Sequence, residues 1–182
     1  MPSVTIIGTG YVGLATGACF AHLGHDVVCV DIDERKIDSL SRGVVPIVEP
    51  GLDDLVTEGL DAGRLQFSID VDGSAREAEI VFLCLPTPQA DDGSADLSYV
   101  EAVVVQLRDV LRPGAILVNK STVPVGTGRH VREQLGRSDV AVVSNPEFLR
   151  QGSAVRDFLH PSRVVVGGDD AEAVAQIGRA HV

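Results

Sequence analysis

Residues Gly8-Thr9-Gly10-Tyr11-Val12-Gly13 set three glycines at G-x-G-x-x-G spacing, directly after the apolar run Ser3 to Ile7. Such a turn is suited to holding a pyrophosphate. Gly8 allows the tight bend, Gly10 lets the backbone come close to the ligand, and Gly13 lets the next helix pack onto the strand. Free N–H groups at the helix start then face the anion. Asp31 ends the run Val27 to Val30, about 20 residues on, where a carboxylate accepts hydrogen bonds from an adenosine ribose. A carboxylate at that point repels a 2′-phosphate and so favours NAD over NADP. Lys36, with Arg35 beside it, reads either as a contact to the adenosine end or as a solvated helix charge.

Three more polar or proline-bearing segments follow apolar runs. Leu85-Pro86-Thr87-Pro88 follows Glu79 to Cys84, Ser121-Thr122 follows Ala115 to Asn119, and Asn145 to Gln151 follows Val140 to Ser144. Taken singly, each has an ordinary explanation. Thr87 and Thr122 can satisfy turn backbone, Phe148 and Leu149 can plug a core, and a Glu147–Arg150 surface pair is worth little. Taken together, five such segments at the carboxyl ends of five strands share the edge where open parallel sheets bind ligands.

The elements that must position them read in order. A helix over 14–23 is stopped by Gly24, and another over 33–41 has Asp33 as N-cap. A loop over 43–51 leads to a helix over 52–60, a short strand over 65–69 and a helical turn or two over 72–78. A helix from Asp96 or Ser98 to Leu111 shows Val100, Val103, Val104, Leu107 and Leu111 on one face. A helix over 126–135 ends at Gly136, a last strand covers 163–166, and a helix opens at Ala171. The strands are continuous Val, Ile and Leu runs, the signature of strands buried on both faces. The expected fold is therefore α/β, a Rossmann-type doubly wound, mostly parallel sheet with helices on both faces.

At 182 residues the chain is long enough for one domain with a sizeable core. Fifteen Lys and Arg against 26 Asp and Glu give a net charge of −11, which argues against nucleic acid or an anionic membrane surface as partner. A local pocket for an anion stays open. No apolar run has the length of a membrane span. Cys19, Cys29 and Cys84 show no C-x-x-C spacing and read as thiols in a reducing cytoplasm. No cluster has metal-ligand spacing, so no metal is expected.

Gly8 to Gly13, Leu85 to Pro88, Lys120-Ser121-Thr122-Val123-Pro124-Val125-Gly126, and Asn145-Pro146-Glu147-Phe148-Leu149-Arg150 through Asp157 and His160-Pro161-Ser162-Arg163 closely resemble the UDP-glucose 6-dehydrogenase family. This belongs to the wider UDP-glucose/GDP-mannose dehydrogenase group, and the likeness covers residues 1–176. It implies oxidation of the UDP-glucose C6 hydroxyl to a carboxylate with two NAD in succession, through a covalent cysteine adduct. By position, Gly8, Gly10, Tyr11, Val12 and Gly13 would hold the pyrophosphate, and Asp31 and Lys36 the adenosine end. Leu85, Pro86, Thr87 and Ser121 would line the nicotinamide half. Thr122 would position water and Glu147 would assist thioester hydrolysis, while Phe148, Leu149 and Arg150 contact the sugar nucleotide. Phe148-Leu149-Arg150 is nearer the UDP-glucose type than the UDP-N-acetylmannosamine type. A GDP-mannose enzyme, or a non-catalytic NAD-binding module, is the alternative.

Gln151 stands where the family has glutamate, near both NAD and substrate, so a charge is removed at similar size. The family's central helix and UDP-binding domain, which hold the nucleophilic cysteine, are expected to be absent. Ile177 to Val182 departs from the family and reads as an artefactual tail. Without its second half the chain is expected to expose apolar surface around Phe148, Phe158 and Leu159, and the full-length protein to be a homo-oligomer.

Overall fold

The structure is a computed structural model and describes residues 1–181. Six parallel strands, β1 (Ser3–Ile7), β2 (Asp26–Val30), β3 (Leu65–Ser68), β4 (Ile80–Leu83), β5 (Ile116–Asn119) and β6 (Ala141–Ser144), form one sheet with the antiparallel edge strand β7 (Gly167–Gly168). The order is β3-β2-β1-β4-β5-β6-β7. The chain runs outward from β1 to β3, then returns to build from β4 in the opposite direction. The switch between β1 and β4 opens a crevice at their carboxyl ends.

Successive strand residues supply the two faces of the sheet, as a pleated strand requires. Ile6, Phe82 and Val118 point into a core under α1 (Tyr11–His22), α2 (Glu34–Ser41), α3 (Leu52–Asp61), α7 (Ala154–Leu159) and α8 (Ala171–Ala180). Ile7, Leu83 and Leu117 point into a second core under α4 (Val71–Glu77), α5 (Ser98–Leu107) and α6 (Thr127–Leu135). Phe20 is the hub of the first core, with ring centroids 5.1 Å from both Phe82 and Phe158.

Several expectations need correction. The last strand is Gly167–Gly168, not 163–166, and it pairs antiparallel to Ser144 and Val143. Asn145 Nδ2 donates to the Val165 carbonyl at 2.9 Å, so that carbonyl is satisfied by a side chain rather than by a ladder. The helix after Ser98 ends at Leu107, and residues 108–111 form turns that still bury Leu111. Helix α7 has no counterpart in the sequence reading. It buries Phe158 against Phe20, so only Phe148 of the apolar trio is strongly exposed, at 59%. Helix α8 runs past residue 176 to Ala180 with Ile177 fully buried. Val182, the last residue of the expected tail, lies outside the described residues. Among the described residues no helix is long and apolar enough to cross a membrane, and no group of three or more His, Cys, Asp or Glu side chains could hold a metal.

Candidate functional site

A cavity of about 660 Å³ opens over the switch point, with the glycine turn on one wall. Gly8 has φ +100°, and a Cβ there would lie 2.4 Å from the Cys84 carbonyl oxygen. A Cβ on Gly13 would lie 1.8 Å from the Gly8 carbonyl oxygen, so strand and helix touch through bare backbone. Gly10 is the opposite case: nothing lies within 4 Å of its Cβ position, which faces open space. The N-terminus of α1 has no side-chain cap and no acid in its first turn. Its free N–H groups therefore face an accessible space, the geometry a pyrophosphate needs.

Asp31, Lys36, Tyr11 and Val12 also line this cavity. Asp31 is more engaged than its sequence position suggests. Its Oδ2 accepts from Thr9 N at 3.0 Å, Thr9 Oγ1 at 2.6 Å and Lys36 Nζ at 2.8 Å, and its Oδ1 accepts from Asp33 N at 3.1 Å. Burial alone would raise its pKa, but the Lys36 and Thr9 hydrogen bonds outweigh that and bring it to about 2. Oδ1 has a single partner and so retains acceptor capacity.

The opposite wall carries Leu85, Pro86, Thr87, Ser121 and Thr122. Ser121 Oγ accepts from Leu85 N at 3.0 Å and donates to Leu85 O at 2.8 Å, which braces the ends of β4 and β5 together. Thr87 Oγ1 donates to the Thr122 carbonyl at 2.8 Å. The Thr122 residue is exposed to the cavity.

A second cavity, about 480 Å³, is walled by the segment after β6 and by α7. Phe148, Leu149 and Arg150 line it. Arg150 grips Asp157 rather than Glu147, with Nε–Oδ2 at 2.9 Å and Nη2–Oδ1 at 2.8 Å. That guanidinium holds the Asp157 carboxyl well below the usual range. Glu147 Oε2 accepts the Leu149 N–H. Lys120, Arg150, Arg156 and Arg163 outnumber Glu147 and Asp157 on this wall, a local cationic excess in an acidic chain. Gln151 is exposed and lines neither cavity.

Lys120 and Glu147 line both cavities. Lys120 carries no role in the sequence analysis, although a lysine two residues past the apolar run Ala115 to Val118 is a usable signal. It is 3% exposed, and Nζ donates to Asn145 Oδ1 at 3.0 Å. Burial lowers its pKa, while Cys84 and Glu147 act the other way. Burial also pushes the Cys19 and Cys84 thiols up to about 12 and the Cys29 thiol higher still. None of the three is an activated nucleophile.

A glycine turn between β1 and α1 at a sheet switch point, closed by an acid after β2, defines a Rossmann-type dinucleotide-binding domain. The profile of the UDP-glucose/GDP-mannose dehydrogenase family, NAD binding domain, matches residues 2–181. The chain belongs to this family of NAD-dependent dehydrogenases, and NAD is the cofactor of the domain it represents. It is 49% identical over 178 residues to UDP-glucose 6-dehydrogenase of Rhizobium meliloti, covering 95% of this chain and 41% of that one. It is 50% identical over 176 residues to the Pseudomonas aeruginosa enzyme of the same name, covering 92% and 39%. The chain thus spans about 40% of the length of these relatives. Among solved structures, a UDP-glucose dehydrogenase from Pyrobaculum islandicum superposes with TM-score 0.90 at 38% identity, covering 100% of this chain and 44% of that one. A ternary complex of GDP-mannose dehydrogenase from Pseudomonas aeruginosa superposes with TM-score 0.91 at 32% identity, covering 98% and 43%.

Proposed function

We propose that the chain is the NAD-binding portion of a UDP-glucose 6-dehydrogenase, oxidising UDP-glucose to UDP-glucuronate with two NAD when joined to its second half. The observation that carries this reading is the shared wall. Glu147 and Lys120 belong at once to the dinucleotide cavity and to the adjoining cationic cavity. A nicotinamide over Thr87 and Ser121 and a sugar over Phe148 to Arg150 would meet at those two side chains. NAD supplies the hydride acceptor.

The chain's own residues do the rest of what it contributes. The N–H groups of Tyr11, Val12 and Gly13 hold the pyrophosphate, and Asp31 and Lys36 hold the adenosine ribose. Thr122 presents a hydroxyl to orient water, and Glu147 accepts a proton from that water during hydrolysis of the acylated nucleophile. Arg150 and its cationic neighbours balance the diphosphate charge of the sugar nucleotide. The names of the curated relatives favour UDP-glucose over GDP-mannose. With all three thiols held protonated, the nucleophile belongs to the part of the family not represented here, and the chain alone is inactive.

The test is calorimetric titration of the purified chain with NAD, alongside an absorbance assay for NADH with UDP-glucose. Binding without turnover is expected. NADH formation by the 182-residue chain would refute its inactivity, and absence of NAD binding would refute the cofactor role.

A further inference from the structure

Glu49 is a buried carboxylate that the site described above does not use. It lies in the loop between α2 and α3 and is 5% exposed. Oε2 accepts the Tyr11 hydroxyl at 2.6 Å and the Gly152 N–H at 2.7 Å. Oε1 accepts the Ala154 N–H at 2.7 Å. Burial alone would raise its pKa, but these donors hold it below the ordinary carboxylate value. It is charged at neutral pH.

Each partner has a place in the machinery. Ala154 opens α7, whose own N-cap, Ser153, makes no side-chain cap hydrogen bond. Glu49 therefore does from a distant loop what a cap residue does locally. Helix α7 carries Asp157, which grips Arg150 on the wall of the cationic cavity. On the other side, Tyr11 stands in the first turn of α1 and lines the dinucleotide cavity. Its hydroxyl also reaches the Arg150 carbonyl at 3.2 Å. One carboxylate thus joins the glycine turn to the segment that presents Arg150.

We propose that Glu49 is a positioning residue that couples the two cavities, so that a dinucleotide seated against Tyr11 steadies the segment from Gly152 to Asp157 and the arginine it holds. The inference rests on NAD binding over the glycine turn. Gly152, Ala154 and Asp157 do not line the dinucleotide cavity. Steadying there is not direct contact, and the route assigned to it runs through Tyr11 and Glu49, a physical chain of hydrogen bonds.

Hydrogen exchange on the purified chain, read by mass spectrometry with and without saturating NAD, tests this. In the wild type, NAD is expected to slow the amides of residues 8–14 and also those of 152–157, the latter by about threefold or more. In Tyr11→Phe, Glu49 still caps Gly152 and Ala154, so the resting exchange of 152–157 is unchanged. NAD continues to slow 8–14 but no longer slows 152–157. Glu49→Gln shows the same separation, with faster resting exchange at 152–157, so the coupling is tested even where Tyr11→Phe weakens cofactor binding. A purely structural Glu49 would leave the NAD effect on 152–157 intact in Tyr11→Phe, which would overturn the proposal. Slowing at 8–14 without slowing at 152–157 in the wild type would overturn it too. No slowing anywhere would instead remove the cofactor reading, and the coupling with it.

Discussion

Lys120 Nζ lies 3.0 Å from Asn145 Oδ1 where the dinucleotide and cationic cavities meet, and both residues are at most 3% exposed. Among the described residues, Asn145 is the one hydrogen-bond partner of this buried ammonium. Leaving a buried, hydrogen-bonded amine without its acceptor costs more than replacing the amine by an apolar group of similar length. Asn145→Ala is therefore expected to destabilise by about 3 kcal/mol, and Lys120→Met by about 1 kcal/mol or less. Urea denaturation of both variants checks the order. Equal costs would mean that the lysine finds water or another partner.

Gly13 and Gly10 should separate folding from binding. A Cβ at residue 13 would meet the Gly8 carbonyl oxygen at 1.8 Å, and backbone on both sides cannot yield. Gly13→Ala is expected to cost about 3 kcal/mol or more, by overpacking. At Gly10, φ is −68° and the Cβ position is open. Gly10→Ala should keep the wild-type melting temperature yet lose about tenfold or more in NAD affinity, because the methyl occupies space the pyrophosphate needs. A Gly10→Ala protein with unchanged NAD affinity would move the phosphates off this turn.

What was legible in the sequence was whatever the chain encodes locally. The β1 run, the glycine spacing and the acid after β2 are contiguous patterns, and the structure has each where the pattern put it. Strands β4, β5 and β6 were legible because strands buried on both faces need unbroken apolar runs. Elements made by distant partners were not. Helix α7 starts at an amide accepted by Glu49, 105 residues earlier in the chain. Strand β7 is two glycines whose position follows from β6 and from Asn145 holding Val165, not from any apolar pattern of their own. The Arg150–Asp157 pair displaced the Arg150–Glu147 pair for the same reason, since it needs the turn of α7 to bring residue 157 back. Lys120 was visible as an oddity after an apolar strand, but its burial and its place on two cavities are properties of the assembled sheet.

Asp31 gives a signed dependence on acidity. Its pKa falls from 3.8 to about 2 on folding, with burial opposing the shift and Lys36 and Thr9 producing it. Between those values the unfolded chain takes up a proton that the folded chain refuses. The contribution is complete above about pH 4 and is lost as pH falls toward 2. After discounting for the partial exposure of the pair, it amounts to about 1 kcal/mol. The stability difference between wild type and Asp31→Asn should therefore shrink between pH 5 and pH 2.5, by denaturant titration at each pH. A difference independent of pH would show that Lys36 does not hold the carboxylate.

His181 titrates in a different window. It is 8% exposed, and its ring stacks on Phe158 with centroids 5.3 Å apart and meets Phe20 edge-on at 5.0 Å. Nδ1 lies 2.8 Å from the Ile177 carbonyl oxygen. Burial lowers its pKa from 6.5 to about 4, the Ile177 carbonyl opposes this, and Lys120 and His25 add to the lowering. The folded state holds the imidazole neutral while the unfolded chain binds a proton. Stability is thus intact above about pH 6.5 and declines as pH falls to about 4, by roughly 2 kcal/mol. His181→Phe keeps an aromatic ring against Phe158 and Phe20 and removes the titrating group. The variant is expected to match the wild type within about 1 kcal/mol at pH 7.5 and to exceed it at pH 5. Parallel stability curves for the two proteins from pH 7.5 to pH 5 would place His181 outside the aromatic cluster in solution.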